Sequence, residues 1–320
     1  MLVHHLRNAA IDRPAYDACV QAAPNGLVYG LSWWLDVVSP GWEALVLGDY
    51  RAVLPLPVKR RYGIRFVDQP LFCPFLGIFS PEPLGEGETT AVFRTLAGRF
   101  KLVTRLCLAA DAQPPVGDWH LRHTHLLDLS QSYERIFGGY TPDRRQNLKR
   151  AQAVGWELHV SHDIQPLSDW FRQFHARNIP GGVAPGTYER LRRLFEETER
   201  RGLSTLYYAR KDGQPEAGIW LVTYRNRVTY LFNAATPTGR RGNGRTFLLD
   251  SFFREKAGTN LLFDFESPGV PSITGFYESF GARPEPYRVL SYNRLPGWVN
   301  AAWGLKQRLL KKPIRRNRLF

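Results

Sequence analysis

Asn233-Ala234-Ala235-Thr236-Pro237-Thr238-Gly239-Arg240-Arg241-Gly242-Asn243-Gly244-Arg245 is the stretch on which the reading of this 320-residue chain turns. It follows an apolar, β-branched run over 228–234 that reads as a strand. It precedes a helix in which Leu248, Leu249, Phe252 and Phe253 share one face and Ala257-Gly258 supplies the stop. Three glycines within six residues let backbone N–H groups turn toward one point, and the helix behind them adds its positive end. Arg240, Arg241 and Arg245 bring further positive charge, so the segment predicts an anion cradle suited to a pyrophosphate.

Downstream, Asn260-Leu261-Leu262-Phe263-Asp264-Phe265-Glu266 alternates as a strand, placing Asp264 and Glu266 on one side at its carboxyl end. Ligands of open α/β sheets usually lie at that end. A carboxylate desolvated there can take a proton from an attacking amine, although either acid could equally pair with an arginine. Residues 273–282 read as a short helix stopped by Gly281, with Tyr277 on it, and 287–293 as a last strand.

Upstream, Leu167, Trp170, Phe171 and Phe174 have helical spacing. A second helix is expected from Thr187, as its cap, to Gly202, and strands over 205–210, 218–224 and 228–234. The first half shows the same order: helices over 12–23 and 31–38, strands over 44–47, 52–58 and 65–69, then a helix over 87–100 and a strand over 102–109. The expectation is an α/β fold, with a mixed α+β sheet, made of two copies of one unit. A helix opened by Thr141-Pro142-Asp143 and ending at Gly155 joins them. The expected organisation is a first domain over 1–135, a connecting basic helix over 136–155, a second domain over 156–296 carrying the glycine-rich loop, and a basic helix and tail over 297–320.

The strand, glycine-rich basic loop, helix, acidic strand and Phe276-Tyr277-Glu278-Ser279-Phe280-Gly281-Ala282 helix end resemble the coenzyme A-binding half of GNAT acyltransferases. Arg241-Gly242-Asn243-Gly244-Arg245-Thr246 resembles the pyrophosphate loop of that family, with Thr246 in place of its small residue. Tyr277 is similar in position to the tyrosine that protonates the departing thiolate, with Ala282 departing from the family's aromatic residue. Two tandem GNAT-like, acyl-CoA N-acyltransferase domains and the basic helix Arg144–Leu158 narrow the resemblance to the FemAB-like branch. Characterised members of that branch move an aminoacyl group from tRNA onto a peptidoglycan precursor. Nothing between Thr187 and Gly202 is long enough for the helical hairpin of some tRNA-using relatives.

The resemblance implies transfer of an acyl group from acetyl-CoA or another acyl-CoA to a primary amine on a small molecule or peptide. Glu266 or Asp264 is then the base and Tyr277 the acid, with Asn233, Arg240, Arg241, Gly242, Asn243, Gly244, Arg245 and Thr246 holding the donor and no metal involved. The alternative donor is aminoacyl-tRNA, gripped by Arg144–Arg150 and the tail. The alternative of another class is a non-catalytic anion- or membrane-binding protein.

Composition bounds these readings. Hydrophobic residues make up 43% of the chain, enough for two cores, and the net charge of +14 favours an anionic partner. Lys306, Arg308, Lys311, Lys312, Arg315, Arg316 and Arg318 concentrate charge in the tail, which suits RNA phosphates or an anionic membrane surface. With no apolar run of signal-peptide or membrane-span length, a cytoplasmic protein is expected, touching the inner membrane face at most through that tail. Cys19, Cys73 and Cys107 read as core thiols. His120, His123 and His125 alternate on a strand without a common face, and Trp33, Trp34 and Trp42 read as core.

Overall fold

The computed structural model describes residues 2–109, 114–176, 182–267 and 270–299. The strongly basic stretch Lys306 to Phe320, with its expected RNA or membrane role, lies outside them. Thirteen strands are described: β1 (Val3–Leu6), β2 (Glu43–Leu47), β3 (Ala52–Leu56), β4 (Val58–Arg61), β5 (Ile64–Asp68), β6 (Leu102–Ala109), β7 (Asp118–Asp128), β8 (Glu157–Ser161), β9 (Ser204–Lys211), β10 (Gln214–Tyr224), β11 (Arg227–Ala235), β12 (Leu262–Asp264) and β13 (Arg283–Asn293). The α-helices are α1 (Arg13–Ala22), α2 (Ser32–Val38), α3 (Glu86–Arg99), α4 (Tyr133–Gly138), α5 (Pro142–Ala153), α6 (Gln165–Trp170), α7 (Thr187–Arg200), α8 (Pro237–Arg241), α9 (Gly244–Lys256) and α10 (Pro271–Glu278). No helix among the described residues is long and apolar enough to cross a membrane.

Strands β1-β2-β3 form a small sheet, and the other ten form one sheet in the order β4-β5-β6-β13-β7-β12-β11-β10-β9-β8. The run expected over 52–58 changes sheets at Pro57, whose missing N–H cannot join a ladder while its carbonyl accepts from Asp68 N at 3.0 Å. Within the large sheet, late and early strands interleave. β13 lies between β6 and β7, pairing antiparallel with both, and β7 pairs antiparallel with β12. Each half thus borrows a strand from the other, a mixed α/β architecture with one sheet running through both.

Helix caps follow the sequence closely. Thr141 Oγ1 accepts from Arg144 N, with Pro142 in the first turn of α5. Asp12 caps α1 in the same way. At α7 the cap is Gly186, at φ +74°, and Thr187 is the first helical residue instead of the cap. The left-handed backbone required there suits glycine better than threonine.

Two cores result. One lies under α1, α2, α3 and the face of the sheet carrying Trp220, Val222 and Leu231. The other lies under α9 and α10, around Tyr230, Phe252, Phe253, Phe263, Phe265 and Phe280. Side chains alternate across β11, so Tyr230 points to the second core while Thr229 points toward the amino-terminal half.

Candidate active site

The glycine-rich segment folds as two helical pieces. Thr236 caps α8, its Oγ1 accepting from Gly239 N at 3.1 Å, and Asn243, at φ +55°, turns the chain into α9. The glycines also answer to packing, which the loop's own sequence does not reveal. A Cβ on Gly239 would come within 2.0 Å of Glu216 O, one on Gly242 within 2.4 Å of Trp156 Cζ2, and one on Gly244 within 2.7 Å of Ala217 Cβ. None of the three adopts the left-handed backbone, which falls on Asn243. Close packing on β10 and on Trp156, whose Nε1 donates to Gly242 O at 2.7 Å, is what excludes side chains. The first turn of α9, Gly244-Arg245-Thr246, is still the turn whose N–H groups a helix leaves without internal partners.

The loop's arginines diverge. Arg240 donates to Phe174 O at 3.2 Å and lies beside His175, and Arg241 is exposed. Arg245 turns inward, donates to Asn233 Oδ1 at 2.8 Å and lies 5.3 Å over the Phe276 ring. Thr246 is buried and accepts from Arg144 Nη1 at 2.6 Å. Arg144 itself is 6% exposed, donates to Ser279 Oγ at 2.9 Å and lies over Phe276 and Phe280. Burial pushes its pKa down to about 10. The sequence reading gave this residue to an RNA-gripping surface, but it faces inward and ties α5 to α9 and α10. Arg145, Lys149 and Arg150 are the exposed cations of that helix.

β11 and β12 run parallel for three residues only, from Arg227↔Leu262 to Thr229↔Asp264. Beyond that the strands part, and Phe265 N donates to His125 O on β7 at 3.0 Å. Strand β12 ends at Asp264, shorter than expected, because Glu266 takes φ +47° and breaks the alternation. The two carboxylates therefore have different surroundings. Asp264 is fully buried and saturated: Arg227 donates to Oδ2 from Nε at 3.1 Å and Nη2 at 2.7 Å, and Thr124 Oγ1 and Glu266 N donate to Oδ1. Glu266 is partly buried and its carboxylate accepts from the Tyr29 hydroxyl, which also lies 3.1 Å from Thr229 Oγ1. Burial raises the Glu266 pKa well above the carboxylate range; the Tyr29 bond opposes that rise, Asp264 adds to it, and Arg227 opposes it again.

Tyr277, on α10, is 6% exposed and stacks on Phe265 at 4.6 Å between ring centroids. Burial raises its pKa well above that of a free phenol. It meets Tyr230 edge-on at 6.1 Å, and the buried Tyr230 hydroxyl lies beside Arg245, whose charge offsets part of the pKa rise that burial imposes on that phenol. Arg245, Tyr230, Tyr277, Phe265 and Glu266 thus form a continuous path from the start of α9 to the parting of β11 and β12. On the amino-terminal side, a cavity of about 280 Å³ is lined by Tyr29, Phe75, Thr124, Arg227 and Thr229 among others.

Four of these groups escaped the sequence reading: Tyr29, Thr124, Arg227 and Thr229. No local motif marks them. Arg227 stands at a strand start after Arg225-Asn226, and Tyr29 sits in an apolar run 237 residues from the glutamate it bonds. Of the three histidines on β7, only His125 is buried, 3.3 Å from Glu278 Oε1.

Comparison with known proteins bears on the fold that carries these residues. Residues 142–265 match the family described as acetyltransferase (GNAT) domain. Among solved structures, FemX aligns over 95% of this chain and 99% of its own at 12% identity, with a TM-score of 0.61. L-PGS from Bacillus licheniformis aligns over 94% and 98% at 12% identity (TM-score 0.54). The C-terminal domain of a putative lysylphosphatidylglycerol synthetase from Agrobacterium fabrum aligns over 91% and 96% at 14% identity (TM-score 0.54). No curated protein matches the sequence. The second half of the chain thus carries a GNAT acetyltransferase domain, which marks the protein as a transferase, within a FemAB-like fold that runs through both halves.

Proposed function

We propose that the chain transfers an acyl group from an activated carrier to a primary amine, with Glu266 as general base. The observation that carries this is the contrast at the end of β12. One carboxylate is locked in an ion pair, and its neighbour is raised in pKa, partly accessible, and beside the point where the parallel strands separate. A carboxylate whose pKa is raised by burial is a stronger base toward the amine proton than one in water.

In the proposed step the amine nitrogen attacks the acyl carbonyl carbon and its proton passes to the Glu266 carboxylate. As the tetrahedral adduct collapses, the carbon–carrier bond breaks and Tyr277 gives its phenolic proton to the leaving sulfur or oxygen. Its raised pKa keeps that proton on the phenol until then. Solvent afterwards takes the proton from Glu266 and restores the one on Tyr277. The first turn of α9, with Asn233, Gly242, Asn243, Gly244, Arg245 and Thr246, receives the carrier's phosphate, with Arg240 and Arg241 at the rim. Asp264 orders the glutamate's backbone and holds Arg227.

An acyl-CoA is the donor in this reading. A second reading keeps the residues and changes the donor to aminoacyl-tRNA, and the alignment with FemX and with L-PGS over nearly the whole chain favours it. Incubation with acetyl-CoA, longer acyl-CoAs or charged tRNA, together with an amine panel, separates the two. Free thiol released without tRNA supports the first, and salt-sensitive deacylation of charged tRNA supports the second. Amide product formed at an unchanged rate by Glu266→Gln would remove the assignment of the base.

A further inference from the structure

The GNAT domain lies in the second half of the chain, yet among the described residues the side chain that hydrogen-bonds the Glu266 carboxylate comes from the first. We propose that Tyr29 is a positioning residue for Glu266, holding its carboxylate and favouring its ionised form, so that the amino-terminal half completes the reactive centre. This rests on the reading of Glu266 as the base.

Tyr29 is well placed for that task. It is wholly buried, set by a short 3-10 turn over Val28–Gly30. Its ring meets Trp34 at 5.4 Å and Phe75 at 6.0 Å, both edge-on, which fixes the direction of the hydroxyl. The hydroxyl donates to Glu266 Oε1 and lies within bonding distance of Thr229 Oγ1. With Thr229 donating to the phenolic oxygen, the phenol proton is directed to the carboxylate, and such a chain strengthens the second bond. The other ionisable groups that act on Glu266 or feel its charge are Asp264, Arg227, Cys73 and Tyr277. Asp264 and Arg227 neutralise each other in their ion pair, and burial holds Cys73 and Tyr277 in their neutral forms. Tyr29 is therefore the group whose removal changes the glutamate most directly.

A purely structural tyrosine would matter for packing alone, which phenylalanine largely preserves. A donor to a carboxylate stabilises the charged form, and its loss moves the ionisation to higher pH. The Glu266 carboxyl can be followed without any substrate, as the infrared C=O band of a protonated acid in ¹³C-glutamate-labelled protein that disappears in Glu266→Gln. In Tyr29→Phe the midpoint of that band is expected to move upward by about tenfold in proton concentration, the loss of one hydrogen bond to a charged group. Thr229→Val, which keeps Tyr29, is expected to move it in the same direction by less, and it serves where Tyr29→Phe does not fold. A midpoint unchanged in a folded variant overturns the proposal. Because the measurement needs no turnover, it can fail while Glu266→Gln still abolishes transfer, or succeed while that variant stays active.

Discussion

Each half of the molecule contains a parallel pair of strands, β5 with β6 in the first and β11 with β12 in the second, and the two pairs end differently. In the first half, β5 and β6 pair at Val67↔Val103 and Asp68↔Arg105, and the chain then keeps bonding along β6. Gln69 N donates to Arg105 O, Gln69 Oε1 accepts from Cys107 N, and Leu76 forms a further bridge to Leu108. That parting is sealed by backbone. In the second half the pairing stops after three residues, and two pairs of side chains lie around the parting, Tyr230 with Tyr277 and Glu266 with Tyr29 from across the molecule. Similar strands thus yield a packed seam in one place and a cluster of ionisable groups in the other, according to where the following segment sends its hydrogen bonds.

The sharpest way to break this comparison is Glu266→Gln. It is expected to slow acyl transfer by roughly 10²–10⁴-fold, the usual contribution of a general base, with folding intact by circular dichroism. Wild-type kcat/KM should climb with pH along a limb set by a carboxyl above the ordinary range, and the variant should lack that limb. Stability carries the opposite sign. The folded state binds the Glu266 proton more tightly than the unfolded chain, so stability falls as pH rises from the ordinary carboxylate pKa through the raised one. Urea unfolding across that window should show the slope in the wild type and a shallower one in Glu266→Gln.

Asp264→Asn tests the other carboxylate and should act chiefly on stability. It leaves the Arg227 guanidinium without its charge partner in a buried setting, expected to cost about 3–5 kcal/mol in chemical denaturation. A stable Asp264→Asn with the activity of Glu266→Gln would reverse the roles given to the two acids. Gly239→Ala probes the loop: its methyl has to displace the Glu216 carbonyl, an overpacking expected to cost about 1–3 kcal/mol by thermal unfolding. Last comes Tyr277→Phe, expected to lower kcat by about 10²-fold, the low end of a general acid's contribution, with an acyl donor whose leaving group needs a proton, and less with a better leaving group. Equal rates for both donors would leave Tyr277 as a packing residue.

Much of the fold was legible because its signals are short-range. The cap at Thr141, the glycine-rich turn into α9 and the repeated order of helices and strands appear as residue types at fixed spacings, which local sterics and hydrogen bonding enforce wherever the segment lies. The glycines at 239, 242 and 244 stood out by residue type, but the close packing that excludes side chains there comes from Glu216, Trp156 and Ala217, none of which the loop itself contains. Arg144 was read by its charge, and its inward turn depends on Phe276 and Phe280.

Periodicity and capping act over a few residues, so most of the helices and strands, their order and the two acids at the end of β12 could be read along the chain, while β1, β8 and α4 could not. Long-range contacts settle the rest: β13 lies between β6 and β7, Asp264 is held by Arg227 while Glu266 is not, and Tyr29 reaches across 237 residues to bond Glu266. Those outcomes rest on pairings between distant segments, where each donor finds its acceptor only after the sheet has closed, and no local pattern encodes the match.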